Sequence, residues 1–109
     1  MTEAQALSRL AHVVYFTLKD QSAPAAQRLV AACHKYLAGL SGIVFFAAGT
    51  RTPDLVRAVN DREFDVALQV VFQSREAHDA YQKAPLHQQF VAENKDHWAQ
   101  VRVFDFDIG

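Results

Sequence analysis

A tyrosine and a histidine flank a proline in the stretch AYQKAPLHQQF, and these residue types can carry acid–base chemistry. His87 follows Pro85 at the start of a predicted helix, where the positive helix end lowers an imidazole's pKa and favours the neutral form. Because histidine titrates near neutrality, His87 is a candidate general base. The Tyr81 hydroxyl is a candidate for orienting a substrate carbonyl. The alternative is a structural role, in which the two side chains pack and form hydrogen bonds at the helix break and the Tyr81 ring belongs to the core.

Five further side chains are predicted to line a pocket beside this pair. Strand alternation places His12 on the same sheet face as Phe16, and the second piece of the broken helix presents apolar side chains. The predicted lining residues are His12, Phe16, Val66, Leu86 and Phe90. For His12 the alternative is a hydrogen-bonded core histidine, because buried polar side chains usually serve packing and find a partner.

The spacing of the histidines and the cysteine predicts no metal site. No two histidines stand four residues apart, and no carboxylate is clearly placed beside them. His34 and His78 are predicted to face solvent from helices. Cys33 falls on the buried stripe of a helix, where a cysteine behaves as an inert small hydrophobe. No glycine-rich phosphate loop occurs either, so no cofactor is expected.

The length and charge of the chain indicate one domain and exclude some classes of binding partner. The chain has 109 residues, enough for one domain with a modest core. We expect a short extension with some helical character over residues 1–10 and the domain over residues 11–109. The 11 basic and 12 acidic residues give a net charge of −1. No basic run interleaves with aromatic residues, so we expect no nucleic-acid partner and no binding to an anionic membrane.

The N-terminus and the cysteine usage favour a cytoplasmic location. The opening MTEAQALSRLA has neither the basic region nor the apolar run of a signal peptide. No segment approaches the roughly 20 apolar residues that span a bilayer. The one cysteine cannot form an internal disulfide, which fits a reducing compartment.

The apolar pattern predicts four strands and two helices, the second of them broken. The strands are expected at residues 12–19, 42–49, 63–73 and 99–107. Ser22 or Ala23 is expected to cap the first helix, and Ser74 the second. Pro85 breaks the second helix, because proline clashes with the preceding turn, and a further helical piece follows to about residue 97.

The element order β-α-β-β-α-β predicts an α+β fold of the ferredoxin-like, split βαβ type, with helices on one face of a four-stranded antiparallel sheet. The third strand is expected to turn an apolar face, from Phe64 to Phe72, toward the helices. The opposite sheet face carries too much apolar surface to remain in water. That face includes Val13, Tyr15, Ala67 and Val71. We therefore expect a homodimer, sheet against sheet, that forms an α+β barrel.

Four stretches together resemble a known family. They are HVVYF at residues 12–16, FDVAL with VVFQS at 64–74, AYQKAPLHQQFV at 80–91, and VFDF at 103–106. In this order, over roughly residues 11–106, they resemble the stress-responsive A/B barrel family of small dimeric α+β barrels. The resemblance implies that this chain forms a homodimeric α+β barrel and that its function is associated with stress responses.

The resemblance also bears on the reaction. A plant branch of the family contains polyketide cyclases, which perform an intramolecular aldol closure. Their site uses a tyrosine and a histidine spaced as Tyr81 and His87 are, and a further histidine that aligns with His12. Where those cyclases have a histidine on the third strand, this chain has Val66, which weakens the transfer of the aldol chemistry.

The favoured interpretation is therefore a homodimer that binds a small apolar molecule in a pocket between sheet and helices. Three alternatives stay open. One is a cyclase- or lyase-like enzyme that uses the Tyr81–His87 pair. The others are a purely structural stress-associated dimer, and a protein similar to the cofactor-free monooxygenases that share the dimeric barrel.

Overall fold

The structure, a computed structural model, describes residues 8–109. Most of the extension expected over residues 1–10 lies outside the described residues. The elements in chain order are strand β1 (Leu10–Leu18), helix α1 (Ala23–Tyr36), strands β2 (Ile43–Thr50) and β3 (Val66–Phe72), helix α2 (Arg75–Lys83), helix α3 (Pro85–Asn94), a 3-10 turn (Lys95–His97) and strand β4 (Trp98–Asp107). None of the helices within residues 8–109 has the length and apolar character to cross a membrane.

The four strands form one antiparallel sheet in the order β2-β3-β1-β4. The predicted ferredoxin-like α+β fold is confirmed, with the helices packed on one face of the sheet. The two predicted serine caps are present: Ser22 Oγ accepts the Ala25 N–H at 3.3 Å, and Ser74 Oγ accepts the Ala77 N–H at 3.1 Å. Ala84 is extended (φ −61°, ψ 138°), as the residue before a proline prefers, and this bend separates α2 from α3.

The two faces of the sheet differ as the alternation predicts. On β1 the side chains of His12, Val14, Phe16 and Leu18 are buried beneath the helices, and Val13 and Tyr15 on the other face are half-buried. The core consists of these buried β1 side chains, every second residue of β3 from Val66 to Phe72, and the buried side of α1. Its largest fully buried side chains are Tyr81, Phe72, Leu37, Val66, Val70 and Cys33.

The expectation that Phe64 faces the helices is wrong. The strand starts later than expected, at Val66, because Asp65 bends the chain: its carboxylate accepts the Leu18 N–H at 2.8 Å, and its own N–H donates to the Phe16 carbonyl at 2.7 Å. Phe64 lies before this bend, and its ring packs edge-on against Tyr15 at 5.0 Å between centroids. It therefore adds apolar surface to the open face of the sheet.

Candidate functional site

A cavity of about 360 Å³ lies between the sheet and the helices, near the outer strand β4. It forms there because β4 is an edge strand, and on its helix-facing side Val101 and Val103 remain 38% and 49% exposed. Most of the wall is apolar and includes Val14, Phe16, Leu37, Leu68, Phe90, Val91, Val101 and Val103. The remaining lining residues are His12, His78, Tyr81, Gln82, His87, Trp98 and Asp105.

The structure brings most of the sequence-predicted site residues together around this cavity. Tyr81, His87 and His12 line it, as do Phe16 and Phe90. Two residues lie elsewhere. Val66 is fully buried in the core, and Leu86 is 45% exposed on the first turn of α3; neither lines the cavity.

Strand register pairs His12 with a carboxylate. His12 on β1 lies opposite Asp105 on β4, and His12 Nδ1 is 2.5 Å from Asp105 Oδ1. Burial lowers the pKa of His12, and the Asp105 hydrogen bond opposes that shift. The expectation that no carboxylate lies beside a histidine is therefore wrong, because the partner comes from a strand far away in sequence.

The expectation that His78 faces solvent is also wrong. Its side chain is only 15% exposed, and its ring centroid lies 5.3 Å from that of His12. Its Nδ1 is 2.9 Å from Asp79 Oδ1. Helical spacing is consistent with this position, because His78 lies three residues before Tyr81 and next to Ala77 on the inward side of α2.

Tyr81 and Trp98 line the cavity, and each carries a buried hydrogen-bond donor. Tyr81 packs against the rings of Phe72 and His87, at 4.8 and 4.9 Å between centroids. Within residues 8–109, neither the Tyr81 hydroxyl nor the Trp98 Nε1–H has a hydrogen-bond partner. Burial raises the pKa of the Tyr81 phenol, so the group is a neutral donor. Trp98 was not among the predicted site residues, since its role depends on the position of β4.

His87, in the first turn of α3, is half-buried and lines the same cavity. Burial lowers its pKa, and the neighbouring His12 and His78 add to that effect. A neutral imidazole keeps one nitrogen lone pair for accepting a proton or a hydrogen bond. By contrast, burial raises the pKa of Cys33 to about 12, which makes this thiol a poor nucleophile.

The charge distribution around the cavity limits what it can hold. Among the described lining residues none is lysine or arginine, and Asp105 is the one carboxylate. A carboxylate or phosphate ligand would therefore lose its hydration without gaining a cationic partner. The geometry suits an uncharged molecule with an apolar body and polar acceptors.

The open four-stranded sheet, with an apolar cavity under its helices, defines a small ferredoxin-like α+β domain. The chain belongs to the stress responsive A/B barrel domain family, whose model matches residues 10–108. Comparison with curated proteins gives no match.

Solved structures share the fold at low sequence identity. A family member from Mesorhizobium loti with a ferredoxin-like fold is 20% identical, with a TM-score of 0.74, over 91% of this chain and 95% of that one. A dimeric ferredoxin-like protein of unknown function from Thermobifida fusca is 20% identical, with a TM-score of 0.76, over 93% and 92%. A hydroxynitrile lyase from Passiflora edulis is 22% identical, with a TM-score of 0.75, over 94% and 95%. At these identities the likeness concerns the fold alone.

Proposed function

We propose that this protein is a homodimer that binds a small, uncharged, largely apolar molecule carrying oxygen acceptors. The observation that carries the proposal is one apolar cavity that Tyr81 and Trp98 both line, each with a buried donor, Oη–H and Nε1–H, that has no partner among residues 8–109. A buried donor without a partner costs about 1–3 kcal/mol. An acceptor on a ligand removes that cost, and the surrounding aromatic and aliphatic wall binds its apolar body.

The dimer part of the proposal rests on the open sheet face. Its large apolar side chains remain exposed in the single chain: Phe45 at 51%, Phe104 at 52% and Phe106 at 54%. The strand registers place Phe45, Val71 and Phe106 on this face beside Ala11. A contiguous apolar surface of this kind is covered in a stable protein, and a second copy of the sheet matches it. The Thermobifida fusca protein of the same fold is described as dimeric.

Carbonyl compounds with aromatic or alkyl bodies are the ligand class that fits this wall. Their oxygen accepts from Tyr81 and Trp98 without bringing a charge into the cavity. The volume of about 360 Å³ is at the lower end of ordinary ligand pockets, which run from about 300 to 1,000 Å³. We therefore expect ligands of modest size, such as a substituted aromatic ketone or aldehyde.

Tryptophan fluorescence offers a direct binding test, because the chain's single tryptophan, Trp98, lines the cavity. We expect titration with a panel of apolar carbonyl compounds to change the emission of the parent protein. Tyr81→Phe should weaken binding about tenfold, since it removes one hydrogen bond of about 1–1.5 kcal/mol. The same variant should not lower the free energy of unfolding, because the hydroxyl it removes is buried and unpaired.

Tyr36→Phe is the matched control for this experiment. It also removes one hydroxyl, but this one lies outside the cavity and donates to the Glu93 carboxylate at 2.8 Å. We expect unchanged ligand affinity and a loss of about 1 kcal/mol in unfolding free energy. If no panel compound changes the emission, or if both variants weaken binding equally, the binding proposal fails.

Proton transfer next to a carbonyl is a second candidate function, favoured by the 4.9 Å separation of the Tyr81 and His87 rings. Tyr81 can donate to the carbonyl oxygen while a His87 nitrogen takes a proton from the adjacent carbon. The fold is also that of a hydroxynitrile lyase from Passiflora edulis. The chemistry of that enzyme does not follow from the fold, so the proton transfer has to be measured.

The variant His87→Ala distinguishes a catalytic role of His87 from a structural one. In deuterated water we expect the parent protein to exchange α-protons of a bound ketone, and the variant to do so at least about 100-fold more slowly. The substitution should cost about 1 kcal/mol or less in unfolding free energy, because the ring is only half-buried. A loss of about 2–3 kcal/mol, with no exchange by the parent, would identify His87 as a structural residue.

A further inference from the structure

Three potential metal ligands meet at one end of the cavity. His12 comes from β1, His78 from α2 and Asp105 from β4. One ligand atom from each lies within 4.8 Å of the other two. All three residues line the cavity, so a shared ion would face the space where a ligand binds.

A second carboxylate orients one of these histidines. Asp79 Oδ1 lies 2.9 Å from His78 Nδ1 and is itself held by Arg75 Nε at 2.9 Å. The carboxylate is an acceptor, so it keeps the proton on Nδ1 and leaves Nε2 of His78 as a ligand atom. Metal-binding histidines usually have such a partner, because it fixes both the tautomer and the ring orientation.

We propose that His12, His78 and Asp105 bind one divalent transition-metal ion per chain, with Zn²⁺ and Co²⁺ as the best-suited ions. Two imidazoles and one carboxylate are ligands of these ions, whereas Mg²⁺ and Ca²⁺ prefer sites made of oxygen ligands alone. Three protein ligands leave a fourth position open toward the cavity. The inference goes beyond the proposed function, because the ion needs no organic ligand in order to bind.

The site requires only small side-chain movements. Ligand bonds of about 2.0–2.2 Å at tetrahedral angles separate ligand atoms by about 3.4 Å. The contact between His12 and Asp105 must therefore open by about 1 Å, and His78 must move toward these two ligand atoms by up to about 1.5 Å. Asp105 can make this adjustment, because its side chain is 44% exposed on an edge strand.

Calorimetric titration of the full chain with zinc chloride, repeated with cobalt chloride, tests the site. We expect one ion per chain for the parent protein, with magnesium chloride giving no comparable heat. His78→Ala should weaken zinc binding by more than about tenfold. Asp79→Asn should weaken it by about 10–100-fold while all three ligands remain, since it disturbs only the orientation of the His78 ring.

His97→Ala is the matched control, because it removes an exposed histidine outside the cavity and should leave the affinity unchanged. Circular dichroism confirms folding of each variant, and Asp105→Asn, on the exposed edge, replaces His78→Ala if that variant does not fold. The proposal is overturned if the parent binds neither ion, or if His97→Ala weakens binding as much as the cavity variants. If the parent protein binds the carbonyl compounds but no metal ion, only the metal-site proposal fails. If it binds the metal ion but none of the carbonyl compounds, only the ligand-binding proposal fails.

Discussion

Val71→Asp is expected to dissociate the dimer or render the protein insoluble. Val71 lies on β3 between Ala11 of β1 and Phe45 of β2, on the open face of the sheet. In a sheet-to-sheet dimer the substitution forces two carboxylates into an apolar interface. Burying a charge without a partner costs several kcal/mol, and the cost arises in each subunit.

Sedimentation of the parent and the variant at micromolar concentration measures this effect. The parent should sediment at twice the 12.2 kDa chain mass. Ala31→Asp is the control, because it introduces the same charge at an exposed position in the middle of α1 and should leave the dimer intact. A parent protein that sediments as a folded monomer, or a Val71→Asp dimer with unchanged melting temperature, contradicts the proposed interface.

Gly42→Ala is expected to lower the free energy of unfolding by about 2–6 kcal/mol. Gly42 has φ +86°, a conformation that strains other residues by about 1–3 kcal/mol. A Cβ there would also lie 2.5 Å from the Ala77 Cβ of α2, and relieving such an overlap typically costs a further 1–3 kcal/mol or so. Because α2 carries His78 and Tyr81, the shift should weaken ligand binding as well.

Gly39→Ala separates this effect from a general loss of glycine. Nothing lies within 4 Å of a Cβ built at Gly39, which precedes the same strand. Removing a glycine from an unstrained position restricts the unfolded chain, so we expect this variant to be neutral or up to about 1 kcal/mol more stable. Denaturant unfolding measures the free energy of unfolding of both variants. If Gly42→Ala and Gly39→Ala change it equally, the close approach of Gly42 to α2 does not limit stability.

The fold could be predicted because its signals are local. The alternation of His12, Val14 and Phe16 identifies the buried face of β1, and the serines at residues 22 and 74 mark the helix starts. The strand ends were less predictable. Phe64 continues the apolar alternation of β3, yet the tertiary hydrogen bonds of Asp65 bend the chain before Val66.

The candidate site was predictable where a local pattern places the side chain, as strand alternation does for His12 and Phe16. Tyr81 and His87 are close in sequence, and the helix break leaves both rings against the same space. Asp105 reaches His12 through the register between β1 and β4, which no short stretch of sequence encodes. The proposed metal-ligand cluster was not predicted for the same reason: its three members come from three elements, and spacing rules apply only within one.

A crystal structure of the complex with the tightest-binding carbonyl compound tests the proposed binding site directly. We expect the ligand to lie in the cavity lined by His12, Tyr81 and Trp98. Its oxygen should lie about 2.7–3.2 Å from Tyr81 Oη or Trp98 Nε1, the range of an ordinary hydrogen bond. A ligand held between the two sheets of a dimer or on the outer surface, with both donors still unpaired, would contradict it.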